Sequence, residues 1–424
     1  MSGISSAARG FKQGSQHFLL ALLACLSAGG CLGPTAVSRT RTRYNEVYRA
    51  TNDEQLLLNI VRLRYADSPI FIDLSAITSQ FEASARANYA YGLDGAGPGL
   101  SNLGFGELFF RDTPTLSYHP RSGRDVAKAL LSPLSAELFS VVNAGANIEQ
   151  FMLLALNEIN DLPNAARSIA MVPTAPDDNL LFRRGVRLLS SLEQRGAVEL
   201  TMRNLEDNDT VSDPIPVERI RGGDLVAATK ENYVFRRQGN EQMTVRKQER
   251  TLVLRIRDQD RLAPEAVEMA RIFRLVPGKT IYKIKSELTG EHPDRKPGTP
   301  DERDVGDTVY VNMRSMLQMA VFLSKGVRVP PEHVQSGVVP MTPMSNGQLY
   351  DWTNVTAGIF CVQVQPQKPK RAEAAVKYRG YWFFIAPDDV QSRSAMAIFE
   401  ILFAVQESEG APSGPVLTLP VGGG

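Results

Sequence analysis

"TLVLRIRDQDRLAPEAVEMARIFRLVPGKTIYKIKSEL", residues 251–288, changes its apolar period twice. In "TLVLRIR", Leu252, Leu254 and Ile256 alternate with Arg255 and Arg257, the period of two that marks a half-buried strand. "PEAVEMARIFRLV" has its apolar residues at helical spacing, with a proline at the start where a helix tolerates it. "TIYKIKSEL" then alternates again. A strand, a helix and a strand in succession place the chain in the α+β class, with mixed or antiparallel sheets.

The flanks repeat this texture. "AVELTMR", "NYVFRRQ" and "DTVYVNM" read as strands, and "MRSMLQMAVFLSKG" as a helix. Residues 289–307, "TGEHPDRKPGTPDERDVGD", are charged and proline-rich and read as a mobile insertion. Residues 333–373 carry no clear period. "AAVKYRGYWFFIAPDD" reads as one strand with Trp382 and Phe384 on one face and Tyr381, Phe383 and Ile385 on the other. Apolar residues on both faces predict a strand buried on both sides, which puts Trp382 in the core rather than on a sugar platform. "VQSRSAMAIFEILFAVQE" reads as a helix, and "GPVLTLPVG" as a terminal strand or tail.

Towards the N-terminus, "RYNEVYRATNDEQLLLNIVRLRY" is a helix in which Thr51 and Glu54 have capping-box spacing. Ile70, Ile72 and Leu74 alternate, and after a bulge so do Phe81 to Tyr91. This run is expected to pair with "LFFRDTPTLSYHP" across the glycine-rich "GLDGAGPGLSNLGFG". A helical block follows. Ser122 and Asp125 cap "GRDVAKALL"; Ser132 and Pro133 start "LSAELFSVVNAG"; Asn147 starts "IEQFMLLALNEIN"; Gly196 ends "NLLFRRGVRLLSSLEQRG".

The first thirty residues have the parts of an export signal. Arg9 and Lys12 precede the nine-residue apolar run "FLLALLACL", and small residues lead to Cys31. That run is far short of the roughly 20 residues a spanning helix needs. Ser27 to Cys31 resembles the lipobox of bacterial lipoproteins, and Cys25 in "LLAC" is a rival. Cys31 is preferred as the lipidation site, because cleavage before Cys25 leaves an apolar core of only about seven residues. The resemblance implies a diacylglycerol thioether and usually a third acyl chain. Two or three chains, at about 0.8 kcal/mol per buried methylene, give stable anchoring. Leu32 rather than aspartate follows the cysteine, which points to the outer membrane, facing the periplasm.

The expected organisation is a signal peptide over 1–30, a small, polar tether over 31–42, an α+β region with the helical block over 43–205, and a second α+β region over 206–424. These form one or two closely packed domains. At 424 residues, with 43% hydrophobic and 22% charged residues, the balance is that of an ordinary globular protein. A net charge of +1 gives no global field for nucleic acid. With three cysteines in all, no disulfide framework is available after leader removal.

Chemistry-bearing motifs are sparse. The glycine loop is followed by "ELFF" rather than by a phosphate-binding helix. Only His119, His292 and His333 remain after the leader, without an HExxH, so neither a metal nor another cofactor is expected. There is no G-x-S-x-G elbow. Cys361, in "AGIFCVQV", reads as an inert core thiol. His119 with Asp112 is a weak base candidate. The pairs Asp177-Asp178 and Asp388-Asp389 read as helix caps. The basic stretch 236–257 reads as a solvated strand face, offset by Glu241, Glu249, Asp258 and Asp260. Arg62 and Arg64 diverge on their helix, and one is expected to pair with an acid.

The segments around "NIVRLRY", "PTLSYHPRSG" and "YRGYWFFI", in this order behind the lipobox, resemble a family of large uncharacterised bacterial envelope lipoproteins. The resemblance implies a lipid-anchored envelope protein with one shared architecture, and it assigns no catalytic residue. The reading is a periplasmic, non-catalytic scaffold or accessory subunit of an export- or secretion-type assembly. It has the membrane, through its lipid, and envelope proteins as partners, and no nucleic acid. The alternative is a glycan- or lipid-binding lipoprotein, and the weaker alternative a hydrolase built on His119.

Overall fold

The computed structural model describes residues 32–70, 72–88, 105–120, 124–165, 168, 170, 179–286, 306–344 and 346–408. The first described element is a long helix, α1 (Leu32–Arg64). Pro34 lies in its first turn, where a missing N–H loses no partner, and no glycine or proline follows until Pro69. Residues 33–42, expected as a tether, are therefore helical. Thr51 is not an N-cap but lies mid-helix, its hydroxyl donating back to the carbonyls of Val47 (3.0 Å) and Tyr48 (2.9 Å).

Strands β1 (Ile72–Asn88) and β2 (Phe105–Pro120) form an antiparallel hairpin, from the pair Ile72 and Pro120 to the pair Asn88 and Phe105. The expected bulge falls between Leu74 and Ala76. The helical block contains α2 (Arg124–Leu131), a 3-10 turn at Ala136–Phe139 leading into the single turn α3 (Ser140–Asn143), and α4 (Ile148–Ala155). Pro133 does not start a helix. It bridges to Ser315, and the next N–H, of Leu134, donates to the Arg314 carbonyl at 3.3 Å.

Asn147 caps α4 as expected, accepting from the Gln150 N–H at 3.0 Å. The helix then stops five residues before the expected end and becomes β3 (Leu156–Ile159) without a loop. Arg314 donates to the carbonyls of Leu153 (2.9 Å) and Leu154 (2.8 Å), and Asn164 donates to Leu153 at 2.9 Å. Those are the carbonyls that another helical turn would use.

The chain continues through β4 (Leu162–Pro163), α5 (Leu180–Gln194), β5 (Val198–Val211), β6 (Ile215–Pro216), α6 (Gly222–Lys230), β7 (Tyr233–Gln238) and β8 (Gln242–Ile256). Then come α7 (Pro264–Ile272), β9 (Ile281–Ser286), β10 (Thr308–Met313) and α8 (Met316–Ser324), the last capped by a Ser315–Gln318 box. One mixed sheet runs β4-β3-β10-β9-β8-β5, with β6 and β7 also on β8. Among the described strands of this sheet, only β9 and β10 pair in parallel. Gly196, at φ +66, ends α5. Gly185 lets α5 approach α7 so closely that a Cβ there would stand 2.7 Å from the Phe273 ring.

Short helices α9 (Pro331–Gln335) and α10 (Thr353–Thr356) precede a three-stranded antiparallel sheet, β11 (Gln363–Gln365), β12 (Ala374–Tyr378) and β13 (Tyr381–Ile385), ordered β11-β13-β12. "AAVKYRGYWFFI" is thus a hairpin, not one strand. Arg379 (φ 44) and Gly380 (φ 90) make a two-residue turn with both φ positive, which suits the twist of the flanking strands. Helix α11 (Val390–Ser408) closes the described chain.

The fold is α+β, with the mixed sheet and the three-stranded sheet on one hydrophobic core. The boundary expected at residue 205 falls inside β5, and β3 pairs with β10 across it. Of the insertion expected over 289–307, residues 289–305 lie outside the described residues, as does the tail over 414–422. Among the described residues no helix is long and apolar enough to cross a membrane.

Candidate functional site

The densest polar constellation forms where α1 ends. Ala66 takes a positive φ of 58° as the chain leaves the helix, with Tyr65 and Asp67 on either side. The Arg379–Gly380 turn meets this corner, and α9 brings His333. The Tyr65 hydroxyl and His333 Nδ1 share a hydrogen bond of 2.6 Å. The Tyr65 ring stands edge-on to His333, Tyr378 and Phe383, with centroids 5.6, 5.3 and 6.1 Å away. His333 also meets Tyr381 at 5.1 Å. Asp67 Oδ2 accepts from the Tyr378 hydroxyl and, at 3.0 Å, from Arg379, whose guanidinium lies 5.3 Å from the Tyr65 ring centroid.

The electrostatics follow from this geometry. Burial pushes Tyr65 up to about 12, so its hydroxyl stays protonated. The bonds from Tyr378 and Arg379 hold Asp67 below the usual carboxylate range. Each of these groups is answered by another in the cluster, and no serine, threonine or cysteine hydroxyl or thiol is among them. The arrangement is a clasp that fastens the small sheet and α9 to α1.

Other buried ionisable groups brace the body. Arg314, fully buried, donates to the carbonyls of Leu153, Leu154 and Asn164 and lies 4.1 Å from the Phe322 centroid. Arg64 donates to the Pro340 carbonyl at 2.8 Å, and burial lowers it to about 10. One of Arg62 and Arg64 was expected to pair with an acid; among the described residues neither forms an ion pair, Arg64 meeting a backbone carbonyl and Arg62 bonding Asn59 at 3.3 Å. Lys325 donates to the Ala170 carbonyl at 3.0 Å, with burial, then the Arg64 charge, lowering it to about 7. Between α1 and α11, the carboxyls of Glu400 and Asp53 face each other and share a proton. Burial first, then the Asp53 charge, raises Glu400 to about 7.

The residues singled out from sequence are scattered. Cys25, Cys31, His292, Asp177 and Asp178 lie outside the described residues. His119 is opposite Asp73 in the hairpin register, and Asp112 is opposite Phe81. His119 and Asp112 are thus seven positions apart on one strand, about 23 Å, too far for a dyad. Cys361 is half-buried, and its N–H donates to the Ser392 hydroxyl at 2.8 Å. Asp389 caps α11 as expected, accepting from the Ser392 N–H at 3.0 Å. On β8, Leu252, Leu254 and Ile256 enter the core, and Arg255 pairs with Glu199 at 2.7 Å. Arg236 and Arg246 share Glu206. Trp382 is half-buried rather than core. Among the described residues no three His, Cys, Asp or Glu side chains gather as a metal site would require.

The Tyr65–His333 bond was not readable from the sequence. The two residues are 268 positions apart, and no motif links them. No family model matches this sequence, no curated protein matches it, and no solved structure matches the chain.

Proposed function

We propose that this chain is a lipid-anchored periplasmic protein serving as a non-catalytic scaffold or accessory subunit of an envelope assembly of the export or secretion type. The observation that carries the assembly role is a helix with no inside. Helix α6 contains no buried residue, and its Leu225 and Val226 are 41% and 58% exposed. It sits on an arm formed by β6, β7 and the outer halves of β5 and β8. Apolar side chains at such a position are what a protein partner would cover.

Helix α1 supports the anchoring half of the reading. At 33 residues it is about 50 Å long, and it begins one residue after Cys31. From Arg41 to Asn52 its side chains are exposed or half-exposed, and from Leu56 to Leu63 five of them are in the core. A lipidated Cys31 would thereby hold the body away from the bilayer on a rigid stalk rather than on a slack tether.

Photo-crosslinking residues at positions 225 and 226 of the full-length chain in cells, read by mass spectrometry, test the assembly role. Reproducible capture of envelope proteins is expected, and a partnerless monomer overturns it. Labelling with an alkyne analogue of palmitate tests the anchor. Label lost in Cys31→Ser is expected; label kept in Cys31→Ser but lost in Cys25→Ser moves the site to Cys25, and an unlabelled wild type removes it.

A further inference from the structure

The three-stranded sheet has a second face that the core does not use. Val364, Val376, Phe383 and Ile385 point inward, so their strand neighbours point out. The register arranges these in two rows across the face. Gln365, Trp382 and Lys377 form one, and Gln363, Phe384 and Ala375 the other. Neighbours within a row are about 4.8 Å apart and the rows about 6.8 Å apart, so each aromatic covers roughly the footprint of one sugar ring.

The loop from β11 to β12 borders this face and leaves an open cleft of about 590 Å³. Its lining includes Gln365, Gln367, Lys368, Lys370, Arg371 and Phe384, and no carboxylate. The Lys368 ammonium lies 5.2 Å from the Trp382 ring centroid. The acid next in the chain, Glu373, is engaged by Arg49 at 2.7 Å and Arg393 at 3.8 Å. Among the described residues the cleft therefore presents cations without counter-charges, beside half-buried aromatic rings and amides.

We propose that this cleft binds an acidic oligosaccharide, a sugar chain bearing carboxylates. The lining, together with Trp382 and Gln363 on the adjoining sheet face, matches such a ligand part by part. Trp382 and Phe384 offer flat apolar surface to ring C–H groups, and Gln363, Gln365 and Gln367 both donate to and accept from hydroxyls. Lys368, Lys370 and Arg371 meet the carboxylates. Pro366 and Pro369 restrict the loop before binding, which lowers the entropy lost on binding. A membrane-inserting surface would carry protruding aromatics, whereas these lie on the flat of a sheet behind a basic loop. The site does not depend on acylation of Cys31.

The test is titration of the full chain, purified in detergent, with a uronic-acid oligosaccharide, read by calorimetry and tryptophan emission. Saturable, salt-sensitive binding is expected. The exposed pair Lys370→Glu and Arg371→Glu should weaken it at least tenfold with an unchanged melting temperature, and Trp382→Ala should remove the emission change. No saturable binding, or equal affinity in the charge-reversed variant, overturns the proposal. So does a neutral oligosaccharide of equal length binding as tightly. Sedimentation with phosphatidylglycerol vesicles that depends on Lys370 and Arg371, and that the uronate does not relieve, would instead make this a membrane-facing surface and also overturn it.

Discussion

Glu400 shows how one buried proton couples two distant helices. Its carboxyl is raised to about 7 from an ordinary 4.5 by burial and by Asp53, with Arg49 opposing, while Glu373 and Arg393 stand nearby. A carboxyl raised in the folded state favours folding fully below its unfolded value. That contribution is lost as pH rises through the folded value, here between about 4.5 and 7. Melting curves at pH 5 and pH 8 should therefore converge in Glu400→Gln, with a gain of about 1–3 °C over the wild type at pH 8 and none at pH 5. Arg314 is the opposite case, a cation whose burial is compensated by three backbone carbonyls. Arg314→Leu removes the donor to the Leu154 and Asn164 carbonyls, while Leu153 keeps Asn164, and should cost about 3 kcal/mol, measured by urea unfolding. In the clasp, Tyr65→Phe removes one hydrogen bond to His333 and should cost about 1 kcal/mol. At this scale Asn147 and Asp389 were legible as caps, because a cap is a contact between near neighbours in the chain. The partners of Arg64, His333 and Glu400 were not, because each comes from a remote segment.

Elements were legible where their own residues decide them. The strand–helix–strand order of residues 251–288 and the amphipathic α5 needed only periodicity and a breaking glycine. Boundaries failed where another element took over the backbone. Helix α4 stops because Arg314 and Asn164 occupy its carbonyls, and Pro133 pairs with Ser315 instead of opening a helix. The β12–β13 turn was missed because Arg-Gly, with Arg379 in the left-handed region, is less usual than Asn-Gly. Helix packing gives a sharp test. Gly185→Ala would place a methyl 2.7 Å from the Phe273 ring, and Phe273 is itself buried. Overpacking of this kind should cost about 1–3 kcal/mol, seen as a lower urea midpoint with an unchanged slope.

At the scale of the molecule, a single core holds the mixed sheet and the three-stranded sheet, while the α6 arm and residues 41–52 of α1 stand outside it. Amide exchange should follow that division, with α6 and β7 exchanging well before β9, β10 and α8. Leu225→Asp with Val226→Asp should leave the melting temperature unchanged, because neither side chain is buried. The same variant should abolish crosslinks to envelope partners if the arm is a docking surface.

Read alone, the sequence determined the α+β class, the order of most elements, the pairing of the long hairpin and the scarcity of metal-binding or nucleophilic motifs. Those properties rest on periodicity, turn residues and residue supply, which are local or additive. Tertiary structure alone decided that strands on both sides of residue 205 share one sheet, that the tether is a helix joined to the core, and that Trp382 stands beside a basic cleft. Each depends on which segments meet. Burial of a face is a property of the neighbour that covers it, and no periodicity in a strand reveals whether that neighbour exists.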